Sequence, residues 1–186
     1  GIKNKVGNKA EVLYAEGCQI TTTHKKNSFY NWKFAPNAVL ATDAENAPRI
    51  AQAKKVAAES DVVILVIGDN ENTCREAWWS SHLGDRTSLD LLGSQTELAN
   101  AILETGKPVI VYLMGGRPLS IGFLKDKANA IIEGWYMGQE TGNAAADILF
   151  GDVAPSGKLT VSFPKSAGHI PAFYNYKPQA RPFDYL

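Results

Sequence analysis

Two runs of almost unbroken apolar residues, Val62–Ile67 (VVILVI) and Val109–Met114 (VIVYLM), restrict the chain to a small set of folds. Each is the length of a strand and far short of the roughly 20 residues a helix needs to cross a bilayer. A strand wetted on one face alternates apolar and polar residues. A run with no polar member is what a strand covered on both faces of a parallel sheet requires. Parallel neighbours need a crossover, and the chain between the runs supplies one. Ser94-Gln95-Thr96-Glu97 has the spacing of a capping box, predicting a helix over Gln95–Thr105 that Gly106 ends. Other segments extend the alternation. Glu11–Tyr14 reads as a strand. Pro48 marks the first turn of a helix, with Asp43 and Asn46 as possible caps and Ile50, Ala53, Val56 and Ala57 at helical spacing. Ala128–Gly134 is a third buried strand, Glu140–Phe150 a helix ended by Gly151, and Lys158–Phe163 alternates like an edge strand. The expected fold class is α/β: a three-layer sandwich with a mostly parallel sheet flanked by helices, in one domain spanning residues 1–186.

Composition narrows the function. The chain has 186 residues, 45% hydrophobic, enough for one domain with a real core. Nineteen Lys and Arg balance nineteen Asp and Glu, with no basic run, so no nucleic-acid partner is expected. No membrane partner is expected either. Cys18 and Cys74 form no CxxC pair and read as small apolar residues. The segment Gly151-Asp152-Val153-Ala154-Pro155-Ser156-Gly157-Lys158-Leu159 only superficially resembles a phosphate loop. It has one residue too many between its glycines, and Leu where a Mg²⁺-binding hydroxyl belongs. There is no GxSxG elbow, and His24, His82 and His169 belong to no HExxH or nucleophile motif. No cofactor or metal is expected. The chain opens Gly1-Ile2-Lys3, which reads as a processed chain or a piece of a longer one.

One segment breaks the economy of short connections. The 25 residues Asp69–Gly93 leave the C-terminal end of the first apolar run without clear periodicity. Loops of that length are usually functional or disordered, and open α/β sheets bind ligands at the C-terminal ends of their strands. This one carries Glu71, Arg75, Glu76, Trp78, Trp79, His82, Asp85 and Arg86, not a disordered composition. Glu76 stands in Cys74-Arg75-Glu76-Ala77-Trp78-Trp79. A carboxyl beside indoles is a candidate general acid, and Trp faces suit the C–H faces of sugars. The plainer reading, a surface salt-bridge partner beside packed tryptophans, is favoured by the pattern taken alone. Glu71 is the rival carboxylate. Asp85 and Arg86 read as an ion pair that pins the loop.

At this loop the sequence resembles a known family. The series Gly68-Asp69-Asn70-Glu71…Arg75-Glu76-Ala77-Trp78…His82-Leu83-Gly84-Asp85-Arg86-Thr87-Ser88-Leu89-Asp90-Leu91 is similar to the second domain of glycoside hydrolase family 3 enzymes. So are Gly115-Gly116-Arg117-Pro118-Leu119, Gly134-Trp135-Tyr136-Met137-Gly138-Gln139-Glu140 and Leu149-Phe150-Gly151-Asp152…Pro155-Ser156-Gly157-Lys158-Leu159. The tail Ile170-Pro171…Tyr174-Asn175-Tyr176-Lys177-Pro178 matches as well. The blocks run in family order over nearly the whole chain, which reverses the weighting for Glu76.

The resemblance implies an α/β sandwich that supplies the acid/base Glu of a retaining exo-β-glycosidase, β-glucosidase-like, with β-xylosidase specificity as the alternative. The nucleophilic Asp would lie in a preceding (β/α)8 barrel that is the partner of this domain. The substrate would be a β-glucoside or β-xyloside, and the compartment the periplasm or outside the cell. It further implies Glu76 as the acid/base with Glu71 as the alternative, and Trp78 and Trp79 lining the sugar or aglycone site. His82, Asp85 and Arg86 would shape the loop, and Glu140 would stabilise a helix N-terminus. Alone, such a chain is expected to be inactive. A non-catalytic carbohydrate-binding or interdomain scaffold is the competing expectation.

Overall fold

A computed structural model describes residues 1–22, 38–76, 83–173, 175 and 177. Its elements run in the order α1 (Ile2–Val6), α2 (Asp43–Glu59), β1 (Val63–Gly68), α3 (Glu71–Cys74), α4 (Gln95–Leu103), β2 (Val109–Met114), β3 (Ala130–Glu133) and α5 (Thr141–Leu149). Among the described residues the three strands form one parallel sheet in the order β1-β2-β3, with Val63 opposite Val109 and Ile110 opposite Ala130. Helices flank the sheet, so the chain is the expected α/β sandwich.

The period-2 geometry of the strands sends Leu65, Ile67, Val109, Val111 and Leu113 to one face. There they form a core with Ala53 and Ala57 of α2 and Leu98, Ala99 and Ile102 of α4. The enclosure expected for both apolar runs holds for the central strand β2, where Val109, Val111, Tyr112 and Leu113 are all buried. It fails for β1. That strand stands at one end of the sheet, and Val66, on the face opposite the core, is 54% exposed.

Local chemistry moves one helix start and changes the cap of another. The helix expected to begin near Pro48 starts a turn earlier, because Thr42 and Glu45 form a reciprocal capping box. The Thr42 side chain accepts from the Glu45 amide, and the Glu45 carboxylate accepts from the Thr42 amide at 2.8 Å. Pro48 therefore lies inside α2. The capping box expected at Ser94 does not form, since the hydroxyl is engaged elsewhere. Ser94 Oγ donates to Asp43 Oδ1 (2.8 Å) and accepts from Asn46 Nδ2 (3.1 Å). Asn46, fully buried, also exchanges hydrogen bonds with both backbone groups of Gln19. Ser94 thus ties α4 to α2 rather than closing its own helix.

Two expected strands are not strands. Glu11–Tyr14 and Lys158–Phe163 enter no ladder, and Tyr14 and Leu159 are exposed. Alternation specifies which side chains share a face; it does not supply a neighbouring strand. No described helix is long and apolar enough to cross a membrane. Cys18 and Cys74 are free thiols. Burial, with Glu16 and Glu97 nearby, pushes the Cys18 thiol up to about 11, in keeping with its reading as a small apolar residue.

Candidate functional site

The C-terminal ends of all three strands converge on the segment that leaves β1. Gly68 ends β1 with φ 140°, and a Cβ there would overlap the Met114 carbonyl, so only glycine lets β1 and β2 part this closely. The turn is held by Gln95, the first residue of α4. Gln95 Oε1 accepts from the Gly68 amide (2.7 Å), while Nε2 donates to the carbonyls of Gly68 and Leu92 (2.9 Å each). Asp69 then donates its amide to the Met114 carbonyl, which aims its carboxylate under the loop.

Asp69 anchors the base of the loop. Its carboxylate is wholly buried and pairs with Arg86 Nη2 at 2.9 Å, and Oδ1 accepts a longer bond from Thr73 Oγ1. Burial pushes the Asp69 carboxyl above the usual carboxylate range, against the pull of the Arg86 and Arg117 guanidinium groups and the Thr73 hydroxyl. The sequence pairs Arg86 with its neighbour Asp85, and the structure gives Arg86 a more distant partner, Asp69. Arg86 Nη2 meets Asp69 across the loop, while Nη1 donates to the Asp90 carbonyl.

The single turn α3 forms because Asn70 caps it. The Asn70 side chain accepts from the Asn72 amide, and Thr73 Oγ1 accepts from the Asn70 amide, each at 2.9 Å. Glu71 stands on this turn, exposed, and pairs with Arg75 four residues on at 3.1 Å. Glu76 lies just beyond the turn. Its side chain is 66% exposed, yet Oε1 meets Arg117 Nη1 at 2.9 Å, and the Arg117 side chain is only 9% exposed. The two rival carboxylates thus differ in anchorage: Glu71 is tied to its own loop, Glu76 to a buried cation at the end of β2. Trp78, Trp79 and His82 lie outside the described residues, as do Ala77, Ser80 and Ser81.

From the end of β3, Tyr136 reaches the same place. Its hydroxyl meets Cys74 Sγ at 3.0 Å, and burial together with Cys74 raises the phenol far above the ordinary tyrosine range. Glu133 turns inward, accepts from the Trp135 amide (2.9 Å) and has its carboxyl raised by burial. Glu140 precedes α5 as its N-cap residue and accepts from Asn143 Nδ2 (2.7 Å). It sits at the helix start as expected but makes no side-chain cap bond to the backbone. Sequence reasoning assigned no role to Asp69, Arg117 or Tyr136. Their signal was positional, since each lies just past the end of a parallel strand, where such sheets place their sites. No cluster of three or more metal-ligating side chains occurs among the described residues. The arrangement offers a solvent-facing carboxylate, held by a buried guanidinium, on a loop pinned at several points.

Relatives carry the same architecture. The family model for the glycosyl hydrolase family 3 C-terminal domain matches residues 1–185. The chain is 42% identical to a β-xylosidase of Formosa agariphila, covering 96% of this chain and 21% of the relative. It is 40% identical to a periplasmic β-glucosidase of Salmonella typhimurium, covering 99% and 23%. Among solved structures, a β-glucosidase from Erythrobacter marinus superposes with a TM-score of 0.82 at 39% identity, over 95% of this chain and 23% of that one. A Listeria innocua β-glucosidase in complex with isofagomine gives 0.64 at 34% identity, over 73% and 18%. The chain spans less than a quarter of the length of each of these proteins. With a parallel sheet, a long loop leaving β1 and a match along nearly its whole length, the chain belongs to the glycosyl hydrolase family 3 C-terminal domain family.

Proposed function

We propose that this chain is the acid/base-bearing part of a retaining exo-β-glycosidase, β-glucosidase-like, with Glu76 as the proton-transferring carboxyl. In the first step the Glu76 carboxyl gives its proton to the glycosidic oxygen as the C1–O bond breaks. A second carboxylate, from a (β/α)8 barrel elsewhere in the full-length protein, bonds to C1. In the second step the Glu76 carboxylate takes a proton from the water that attacks C1, and the second carboxylate leaves. Such a pair stands about 5–5.5 Å apart. The observation that carries the assignment is the anchorage of Glu76. Its carboxylate faces solvent at the C-terminal edge of the sheet while Arg117 fixes its position. Glu71, by contrast, pairs with Arg75, four residues along the same loop.

On this reading the partner is the barrel, and the isolated chain hydrolyses no aryl β-glucoside because half of the carboxyl pair is missing. Trp78 and Trp79 line the sugar or aglycone site. No cofactor takes part. The relatives' names support a β-glucoside or β-xyloside as the substrate, and the name of the Salmonella protein supports a periplasmic or secreted enzyme.

The test compares Glu76→Ala and Glu71→Ala in the full-length protein. For a substrate whose leaving group needs protonation, such as phenyl β-glucoside, Glu76→Ala lowers kcat/KM by about 10²- to 10⁴-fold. For the 2,4-dinitrophenyl glycoside, which needs little protonation, kcat/KM stays near wild type. Glu71→Ala shows no such discrimination. The reverse pattern moves the role to Glu71. Wild-type behaviour of both variants leaves the domain a carbohydrate-binding or interdomain scaffold.

A further inference from the structure

We propose that Arg117 is the positioning residue for the acid/base: it closes the neck of the loop and fixes the Glu76 carboxyl to the sheet. The proposal rests on the assignment of Glu76 as the acid/base. Arg117 comes after Gly115-Gly116 directly beyond β2, so its stem starts from the most enclosed strand of the sheet. Its planar fork has donors in fixed directions, which lysine lacks. Nη2 donates to two backbone carbonyls, Cys74 on the outgoing stem of the loop and Gly84 on the returning stem, the latter at 2.8 Å. Nη1 holds Glu76. One buried side chain therefore grips both stems and the functional carboxylate together.

The stems are close for independent reasons. The Leu83 amide donates to the Asn72 carbonyl at 2.7 Å, and a Cβ at Gly84 would fall on the Arg75 carbonyl oxygen, so glycine is required there. Residues 77–82 are thus bounded on both sides by a zipped neck whose central rivet is Arg117. A catalytic carboxyl on a long loop needs such a reference, because a misplacement of about 1 Å costs on the order of 100-fold in rate. Supporting side chains on rigid elements are the usual means of avoiding it.

The consequence is specific to proton transfer. In the full-length protein, Arg117→Met lowers kcat/KM for phenyl β-glucoside by about 10- to 100-fold, while 2,4-dinitrophenyl β-glucoside loses about 3-fold or less. Arg117→Lys falls between Met and wild type, keeping the charge at Glu76 but not the fork across the two carbonyls. In the Arg117→Met/Glu76→Ala double variant, the phenyl glucoside shows no loss beyond that of Glu76→Ala alone. Turnover of the dinitrophenyl substrate doubles as the check that each variant is folded. Equal losses on both substrates, or failure of both Arg117 variants even with the dinitrophenyl glucoside, make Arg117 a general structural residue and overturn the proposal. If Glu76→Ala itself does not discriminate between leaving groups, the reading of Glu76 falls and this proposal with it. If Glu76→Ala discriminates and Arg117→Met does not, only the role of Arg117 falls.

Discussion

Arg86 and Arg117 face carboxylates in opposite settings. Asp69 is sealed from water, so its pair with Arg86 is costly to desolvate and costly to break, since removing either partner strands a buried charge. Asp69→Leu or Arg86→Met alone is expected to lower unfolding free energy by about 3–5 kcal/mol in urea melts, and the double variant to recover much of that loss. Losses that simply add would mean the two side chains act independently. Glu76 is the opposite case: its mostly exposed side chain adds little stability to the pair with Arg117, so the pair's value is positional. The candidate carboxylates and Arg86 were legible in the sequence, because charged residues in an aperiodic loop after a buried strand are visible as such. Their partners were not. Asp69 and Arg86 are 17 residues apart, and Glu76 and Arg117 come from different strand ends, so only the folded chain brings them together.

At the scale of elements, the strongest sequence signal was also the most reliable. The two apolar runs and Ala128–Gly134 became β1, β2 and β3 with boundaries shifted by two residues at most, and the helix before β2 formed. Runs without polar members admit few other states in water. Where a second signal competed, the outcome depended on contacts the sequence does not display. Ser94 had the spacing of a cap, yet Asp43 and Asn46, about 50 residues earlier, took its hydroxyl. Glu11–Tyr14 and Lys158–Phe163 had strand-like composition and found no ladder. Gln95 shows how one side chain joins elements. It satisfies both backbone groups of Gly68 and fixes where β1 ends and the loop begins. Gln95→Leu keeps the volume but leaves those groups buried and unpaired. The expected loss is about 2–4 kcal/mol in chemical denaturation, with hydrogen exchange accelerated at Gly68. An unchanged melt would mean that the end of β1 is held by its ladder alone.

The whole molecule is an α/β sandwich whose strand ends carry a pinned loop, and it spans less than a quarter of the length of the relatives it matches. The fold class could be argued from periodicity, but the fold alone does not separate a hydrolase domain from other α/β sandwiches. The ordered blocks from Gly68 to Pro178 did so in the sequence, and the match along residues 1–185 places the chain in its family. The role of one carboxyl is then a question for chemistry. Its sharpest test is azide rescue of Glu76→Ala in the full-length protein with 2,4-dinitrophenyl β-glucoside. The good leaving group lets the glycosyl-enzyme form without an acid, after which it waits for a base that the variant lacks. If Glu76 is the acid/base, kcat is low without azide and rises with azide, and the product is the β-glucosyl azide. Wild-type turnover without azide, or no response to it, would contradict the assignment of Glu76.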